Sequence, residues 1–310
     1  MMSRLLAALL VLSLQIPGAK AEDRQARIFT NEFGTTEVPV TPRCIVSLHD
    51  FSLTAQLLEF GVTPCGSTGR KRLWAETQFR GSSGRYDTAG IAYIGTHQAP
   101  DLETIAALKP DLIIGLSYHA ALRDRLSAIA PVVLLPLREK GIGASAAELA
   151  DLVGRQDRYQ ELAGEYQTIV AAFRRRVPDA DRITVTPLEI YRDGFRLIGR
   201  GGIEQVIADF DLGHVPAYDS HAADIPYSLE RLADFDSDFL IDTYEEALDE
   251  EAETRAFRQT AQWKALFAVR NSQFLYLNRS RYGETMGGLI GSATLLFSHI
   301  AEREALRQLP

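Results

Sequence analysis

The sequence predicts an α/β protein of two similar lobes with parallel-rich sheets, joined by a single long helix. Three observations lead there. Asp101-Leu-Glu-Thr-Ile-Ala-Ala-Leu-Lys-Pro-Asp-Leu-Ile-Ile114 reappears as Ser228-Leu-Glu-Arg-Leu-Ala-Asp-Phe-Asp-Ser-Asp-Phe-Leu-Ile241, gapless at an offset of 127 residues, with five of fourteen positions identical. Short apolar strands alternate with helical segments, the pattern of a doubly wound parallel sheet. Midway between the repeats, within 155–178, Tyr159, Leu162, Ala163, Tyr166, Ile169, Val170, Phe173 and Val177 keep helical spacing. At about 1.5 Å per residue this bridging helix spans roughly 33 Å, and Pro178 ends it.

The elements follow in order. Residues 1–21 carry the marks of an export signal: Arg4, an apolar run over 5–14, a break at Pro17-Gly18 and the small-x-small site Ala19-Lys-Ala21. That run is too short to span a bilayer, and no Cys lies near the cleavage point to carry a lipid. The mature chain is expected to begin at Glu22, exported to a bacterial periplasm and not lipidated. The first lobe, 22–154, reads as strand 44–48, helix 51–60 ended by Gly61, and strand 64–67. A polar, Gly-rich, basic stretch over 69–90 fits neither element. The first repeat copy, a helix over 120–129 and strand 132–135 complete the lobe. The second lobe, 179–310, reads as strand 183–191, a hairpin through Arg196-Leu-Ile198 and helix 203–210. The second repeat copy, strand 274–277 and a C-terminal helix from 287 follow. In each repeat, Asp101 or Ser228 is placed to cap a helix, and Glu103 or Glu230 falls in its first turn, where the helix dipole favours an acid.

Removing Arg4 and Lys20 from the 33 basic residues leaves 31 against 41 acidic ones, a net charge of −10. This argues against nucleic acid and anionic membrane surfaces as partners. The two cysteines, Cys44 and Cys65, close a short loop, and in an oxidising compartment such a pair is expected as a disulfide. No Walker loop, G-x-S-x-G, C-x-x-C or G-x-G-x-x-G is present, and Gly199-Arg-Gly-Gly202 is too short and follows a hairpin. The acidic residues form no recognisable pair with a base or nucleophile, so no enzyme is expected, an exported hydrolase being the best enzymatic alternative. The six histidines show no paired metal-ligand spacing, and His49 and His119 are secondary ligand candidates.

The segment Ile94-Gly-Thr-His-Gln-Ala-Pro-Asp-Leu-Glu103 through Lys109-Pro-Asp-Leu-Ile-Ile114, preceded by Ile45-Val-Ser-Leu48, resembles the periplasmic binding proteins of ABC importers for ferric siderophores, haem and vitamin B12. The resemblance covers the mature chain and is nearest to binders of ferric citrate and carboxylate-type siderophores. It implies two Rossmann-like lobes of the class III binding-protein fold, with the ligand in the cleft between them. It also implies capture of a ferric siderophore for an inner-membrane ABC permease dimer, by a monomer without a cofactor, the iron held through its chelator. Haem or cobalamin are the alternative ligands.

An anionic chelate calls for arginines, whose planar forks meet carboxylates bidentately. Candidates sit where loops leave strand ends: Arg70, Arg72, Arg80, Arg85 and Tyr86 with Trp74 in the first lobe, then Ser117, Tyr118 and His119. In the second lobe they are Arg192, Arg200, Tyr227, Arg279, Arg281 and Tyr282. The plain alternative for any one surface arginine is a solvated side chain. Arg279, Arg281 and Tyr282 occupy the segment where the citrate-siderophore binders carry ligand-contacting arginines, although Glu284 and Met286 stand where those proteins have two more. The resemblance further assigns Glu103 and Glu230 to docking on the two permease subunits.

Overall fold

The computed structural model describes residues 25–71, 80–81, 85–191, 193–221, 223, 225–245 and 251–302. The expected export signal, and with it Arg72, Trp74 and Arg192, lies outside the described residues. The first lobe contains five parallel strands in the order β5-β4-β3-β6-β7. These are β3 (Ile45–Ser47), β4 (Gly66–Ser67), β5 (Ala92–Tyr93), β6 (Leu112–Leu116) and β7 (Val132–Leu135). Strands β6 and β7 are buried throughout, as continuous apolar runs covered on both faces require. The second lobe has four strands in the order β11-β10-β8-β9. Strands β8 (Val185–Tyr191), β10 (Phe239–Tyr244) and β11 (Phe274–Asn278) are parallel, and β9 (Gly194–Leu197) turns back antiparallel to β8.

The repeat folds as expected in both copies. The Asp101 carboxylate accepts from the Glu103 and Thr104 amides, each at 3.1 Å, and Ser228 Oγ accepts from Glu230 N at 3.4 Å. Helix Leu102–Ala107 then leads to β6, whereas in the second copy Leu229–Phe235 is 3-10 helix before β10. Two other stretches are tighter or looser than the α-helices expected of them. The helix expected over 120–129 begins within a 3-10 turn, Ser117–Leu122, before the α-helix Arg123–Ser127, and Asp50–Thr54 forms a π turn before the α-helix Ala55–Glu59. Cys44 joins Cys65, with Cα atoms 5.1 Å apart, tying the entrance of β3 to that of β4. Closing a loop of this size removes about 3 kcal/mol of unfolded-chain freedom.

A hairpin that the sequence pattern does not announce, β1 (Ala26–Asn31) with β2 (Gly34–Pro39), covers the edge of β7. Only Phe29 and Val38 are buried, so no apolar alternation marks it. Its Asn31 and Thr36 side chains donate to the Leu134 and Val132 carbonyls, which an exposed sheet edge would leave open.

The bridging helix spans Gln156–Arg176 and buries a single stripe, Leu162, Tyr166, Val170 and Phe173. Each such side chain contributes roughly 1.5–3 kcal/mol. Phe173 stacks on Phe210 of the second lobe at 3.8 Å, while Arg155 and Arg158 donate to the Phe60 and Glu59 carbonyls of the first. The C-terminal helix, Met286–Ala301, lies along it, and one apolar core runs from Ile45 and Leu57 through the bridge to Ile241 and Leu296.

The start of that C-terminal helix is held by the first lobe. Met286 N donates to Gln56 Oε1 (2.8 Å), Gly287 N to Glu59 Oε2 (2.9 Å) and Gly288 N to Thr285 Oγ1 (3.0 Å). The Thr285 hydroxyl donates to Glu59 Oε1 at 2.7 Å, and Leu289 N closes on the Thr285 carbonyl. The amides of the first three helical residues, which a helix start leaves open, are thereby satisfied, and the Leu289 bond begins the regular ladder. Glycine at 287 leaves room for this clamp, because a Cβ there would lie 2.5 Å from Glu59 Oε1 and displace the carboxylate from its donors. Replacing Glu59 with Ala is expected to cost about 3 kcal/mol, the penalty for stranding buried donors, and Glu59→Gln less, since an acceptor remains. Chemical denaturation of the two variants checks the order; equal stability of both with the parent would refute the clamp.

Candidate functional site

In the first sheet the chain starts at β3, winds outward through β4 and β5, then crosses back to β6. The loops after β3 and β6 therefore diverge, and such a switch point is where open α/β sheets bind ligands. His49 leaves β3 there, and Tyr118 and His119 leave β6. His97, beyond β5, joins them. The His49 and His97 rings meet edge-on at 5.4 Å, and Tyr118 lies 6.2 Å from the first and 6.3 Å from the second. Four rings from three loops thus gather where the numbering 49, 97, 118, 119 shows no spacing. Their nitrogens are held neutral: burial pushes His49 down to about 3 and lowers His97 and His119. His119 is fully used, accepting from Leu116 N at 3.0 Å and donating to the His97 carbonyl at 2.9 Å. Tyr118 is 39% exposed, with the Arg138 guanidinium 5.3 Å above its ring.

Two adjoining cavities lie between the lobes, of about 290 and 140 Å³, sharing Arg200, Gly201 and Glu284 in their walls. Arg138 faces the larger; Phe51, Arg196, Arg279 and Tyr282 line the smaller. The Glu189 carboxylate holds two of these arginines, Arg196 Nε at 2.8 Å and Arg279 at 2.9 Å. Arg196 reaches the cleft from within a strand, not from a loop at a strand end, because β9 runs antiparallel and lies across from Glu189 in register. A search confined to loops passes over it, and equally over Arg138 at the start of helix Leu137–Val153.

Of the residues singled out from the sequence, Arg200, Arg279 and Tyr282 converge on the cavities, and Tyr118 stands at the switch point. Arg281, next along the chain, is exposed. Arg85 is also exposed, and Tyr86 packs against Leu58 and Ile91. Tyr227 pairs with Phe195 beyond β9 and packs on Phe235, on the outer side of the second sheet. None of these last three lines either cavity. Glu103 and Glu230 are exposed in their first turns.

Arg80 is built into the frame. It is 9% exposed and grips Asp50 bidentately, Nε at 3.0 Å and NH2 at 2.7 Å, with Glu245 of the second lobe 3.9 Å away. Burial pushes the Asp50 carboxyl up, but the hydrogen bonds and charge of Arg80 outweigh it and hold Asp50 below the usual range. Beside it Gly81 donates to the Ser280 carbonyl at 3.0 Å, and a Cβ on Gly283 would lie 3.0 Å from the Gly81 Cα and 2.6 Å from the Phe51 carbonyl. The lobes touch here. Breaking a buried ion pair from one side costs about 3–5 kcal/mol, so Arg80→Ala should unfold at markedly lower urea. Since Asp50 is depressed, the pair's contribution is full above the ordinary carboxylate range and fades as pH falls through the folded pKa, so the loss in Arg80→Ala should shrink in acid. An unchanged urea midpoint would instead give Arg80 a role confined to ligand.

A family profile described as periplasmic binding protein matches residues 76–280. The chain is 27% identical over 275 residues to the Fe(3+)-citrate-binding protein YfmC of Bacillus subtilis, covering 86% of this chain and 83% of that one. It is 32% identical over 160 residues to the Fe(3+) dicitrate-binding periplasmic protein FecB of Escherichia coli, about half of each chain (49% and 51%). Among solved structures it resembles Staphylococcus aureus SirA complexed with staphyloferrin B, with a TM-score of 0.68 at 19% identity over 91% of this chain and 100% of that one. It also resembles FeuA of Bacillus subtilis, at a TM-score of 0.75 and 15% identity over 89% of this chain and 100% of that one. At these identities the structural likenesses speak to the fold.

Proposed function

The chain belongs to the periplasmic binding protein family, and from that premise we propose that it captures a ferric siderophore of citrate or carboxylate type for an ABC importer. The observation that carries this reading is the convergence of Arg138, Arg196, Arg200 and Arg279 on one cleft between the lobes. Guanidinium groups stay charged at every physiological pH and meet carboxylate pairs with two parallel hydrogen bonds. Arg200 and Arg279 would grip the hydroxycarboxylate oxygens, with the exposed Arg281 next along the chain. Tyr118 and Tyr282 would flank the chelate from the two lobes. The iron stays with its chelator, and the protein supplies shape and charge, returning its ligand unchanged. The continuous core through the bridging helix favours a small rocking of the lobes over wide closure.

Delivery requires a second surface. Glu103 and Glu230 stand at equivalent places in the two repeats, each exposed in the first turn of a capped helix, and a two-fold permease dimer in the inner membrane presents two equivalent contacts. We assign them to docking, one on each permease subunit, by a monomeric, exported and non-lipidated receptor.

Intrinsic fluorescence titrated with ferric citrate, ferric siderophores of other types, haem and cobalamin tests the ligand. Binding of a ferric carboxylate-type chelate is expected, and Arg279→Ala should weaken it by about 1.5–3 kcal/mol, while Arg174→Ala on the bridging helix leaves it unchanged. Tight binding of haem or cobalamin alone would overturn the assignment. For docking, Glu103→Ala and Glu230→Ala should keep ligand affinity and melting temperature but impair uptake in cells, the double variant most of all. Normal uptake by the double variant at native expression returns both residues to a helix-dipole role of about 0.3–1 kcal/mol each.

A further inference from the structure

We infer that Glu284 tunes the cleft against polyanionic chelates, so that the preferred cargo is a ferric hydroxycarboxylate chelate of low net charge, whose outer arms reach the iron through monoanionic hydroxamates and carry neutral amides in place of free carboxylates. This rests on the ferric-chelate reading above. Glu284 faces both cavities, beside Arg138 in one, Arg279 in the other and Arg200 in both. Its Oε1 lies over Gly201, 3.4 Å from where a Cβ on that residue would stand. Gly201 is the N-cap of helix Gly202–Asp209 and brings no side chain to its first amides. A helix start of this kind draws anions, and the protein's own carboxylate already stands beside its Gly201 cap. A ligand carboxylate approaching Arg200 therefore meets a fixed negative charge.

The charge balance of the walls agrees. Among the described residues four arginines line the two cavities. Against them stand three carboxylates: Glu204 and Glu284 in the walls, and Glu189 bonded to Arg196 and Arg279. Among these described residues, four less three leaves one net positive charge on the walls and the Glu189 bonded to them, and His214, 2.9 Å from Glu204, adds at most one more. Ferric dicitrate, a polyanion, would enter with most of its charge uncompensated and pay for its desolvation in affinity. A citrate-centred chelate with two hydroxamate arms carries a single net negative charge. It keeps the hydroxycarboxylate for Arg200 and Arg279, and amide N–H groups on its arms would meet the acceptor oxygens of Glu284.

Calorimetric titration with ferric dicitrate and with the ferric complex of a citrate bearing two hydroxamate arms, at one ionic strength, tests this in the parent protein, Glu284→Gln and Glu284→Ala. The parent is expected to bind the mixed chelate at least about tenfold tighter than dicitrate. Both variants should narrow that ratio by about tenfold, mainly through stronger dicitrate binding, with melting curves unchanged. Glu161→Gln, an equal change of net charge on the exposed face of the bridging helix, should leave the ratio as it is. Equal or tighter binding of dicitrate by the parent, or a ratio that either folded Glu284 variant leaves unmoved, overturns the inference and spares the ferric-chelate reading. Binding of no ferric chelate at all overturns both.

Discussion

The relation between the lobes depends on a carboxylate buried at a helix N-terminus. Glu59 belongs to the first lobe, yet it and Gln56 receive the amides of a helix that begins after the last strand of the second. Burial drives the Glu59 carboxyl above its usual range, and the hydrogen bonds from Thr285 and Gly287, with the charge of Arg85 and the Gln56 amide, offset it only in part. A charge so placed is tolerable only while those donors stay in register, which makes it a positional constraint as much as a source of stability. Moving the C-terminal helix by one residue would strand the carboxylate and the amides together.

With that helix fixed, the loop just before it is fixed too. Arg279, Tyr282 and Glu284 lie between β11 and the clamp, and the Gly81–Gly283 contact pins the loop from the opposite lobe. The cleft residues are thus preorganised by contacts that do not involve ligand, which lowers the ordering cost of binding. The same economy explains the ion pairs. Glu189 holds Arg196 and Arg279 in place while offsetting their charge, so the site trades some electrostatic pull for fixed geometry.

The bridging helix completes the frame. Its buried stripe faces a core shared by both lobes, with Phe173 between Phe210 and Phe297. A core continuous across the bridge resists wide hinge opening, because opening would expose apolar surface from both lobes. The cleft is accordingly shaped by its side chains and by small movements of the loops around it.

The repeat, the bridging helix and the caps Asp101 and Ser228 were legible in the sequence because they are local: apolar spacing and a polar residue before a helix act over a few positions. The disulfide was legible because only two cysteines exist to be joined. The hairpin β1–β2 was not, since its stability comes from the edge of β7 and not from its own pattern. Nor was the site as a constellation. His49, His97 and Tyr118 meet only because strand order brings three loops to one switch point, and Arg196 arrives only because β9 reverses direction. Arg80, an arginine like the others by composition, was separated from them by the burial of Asp50 beneath it. The sequence by itself determined the two-lobed α/β plan and the abundance of arginine near strand ends. The tertiary structure decided which arginines face the cleft and which are neutralised, because charge in a site depends on distances between residues far apart in the chain.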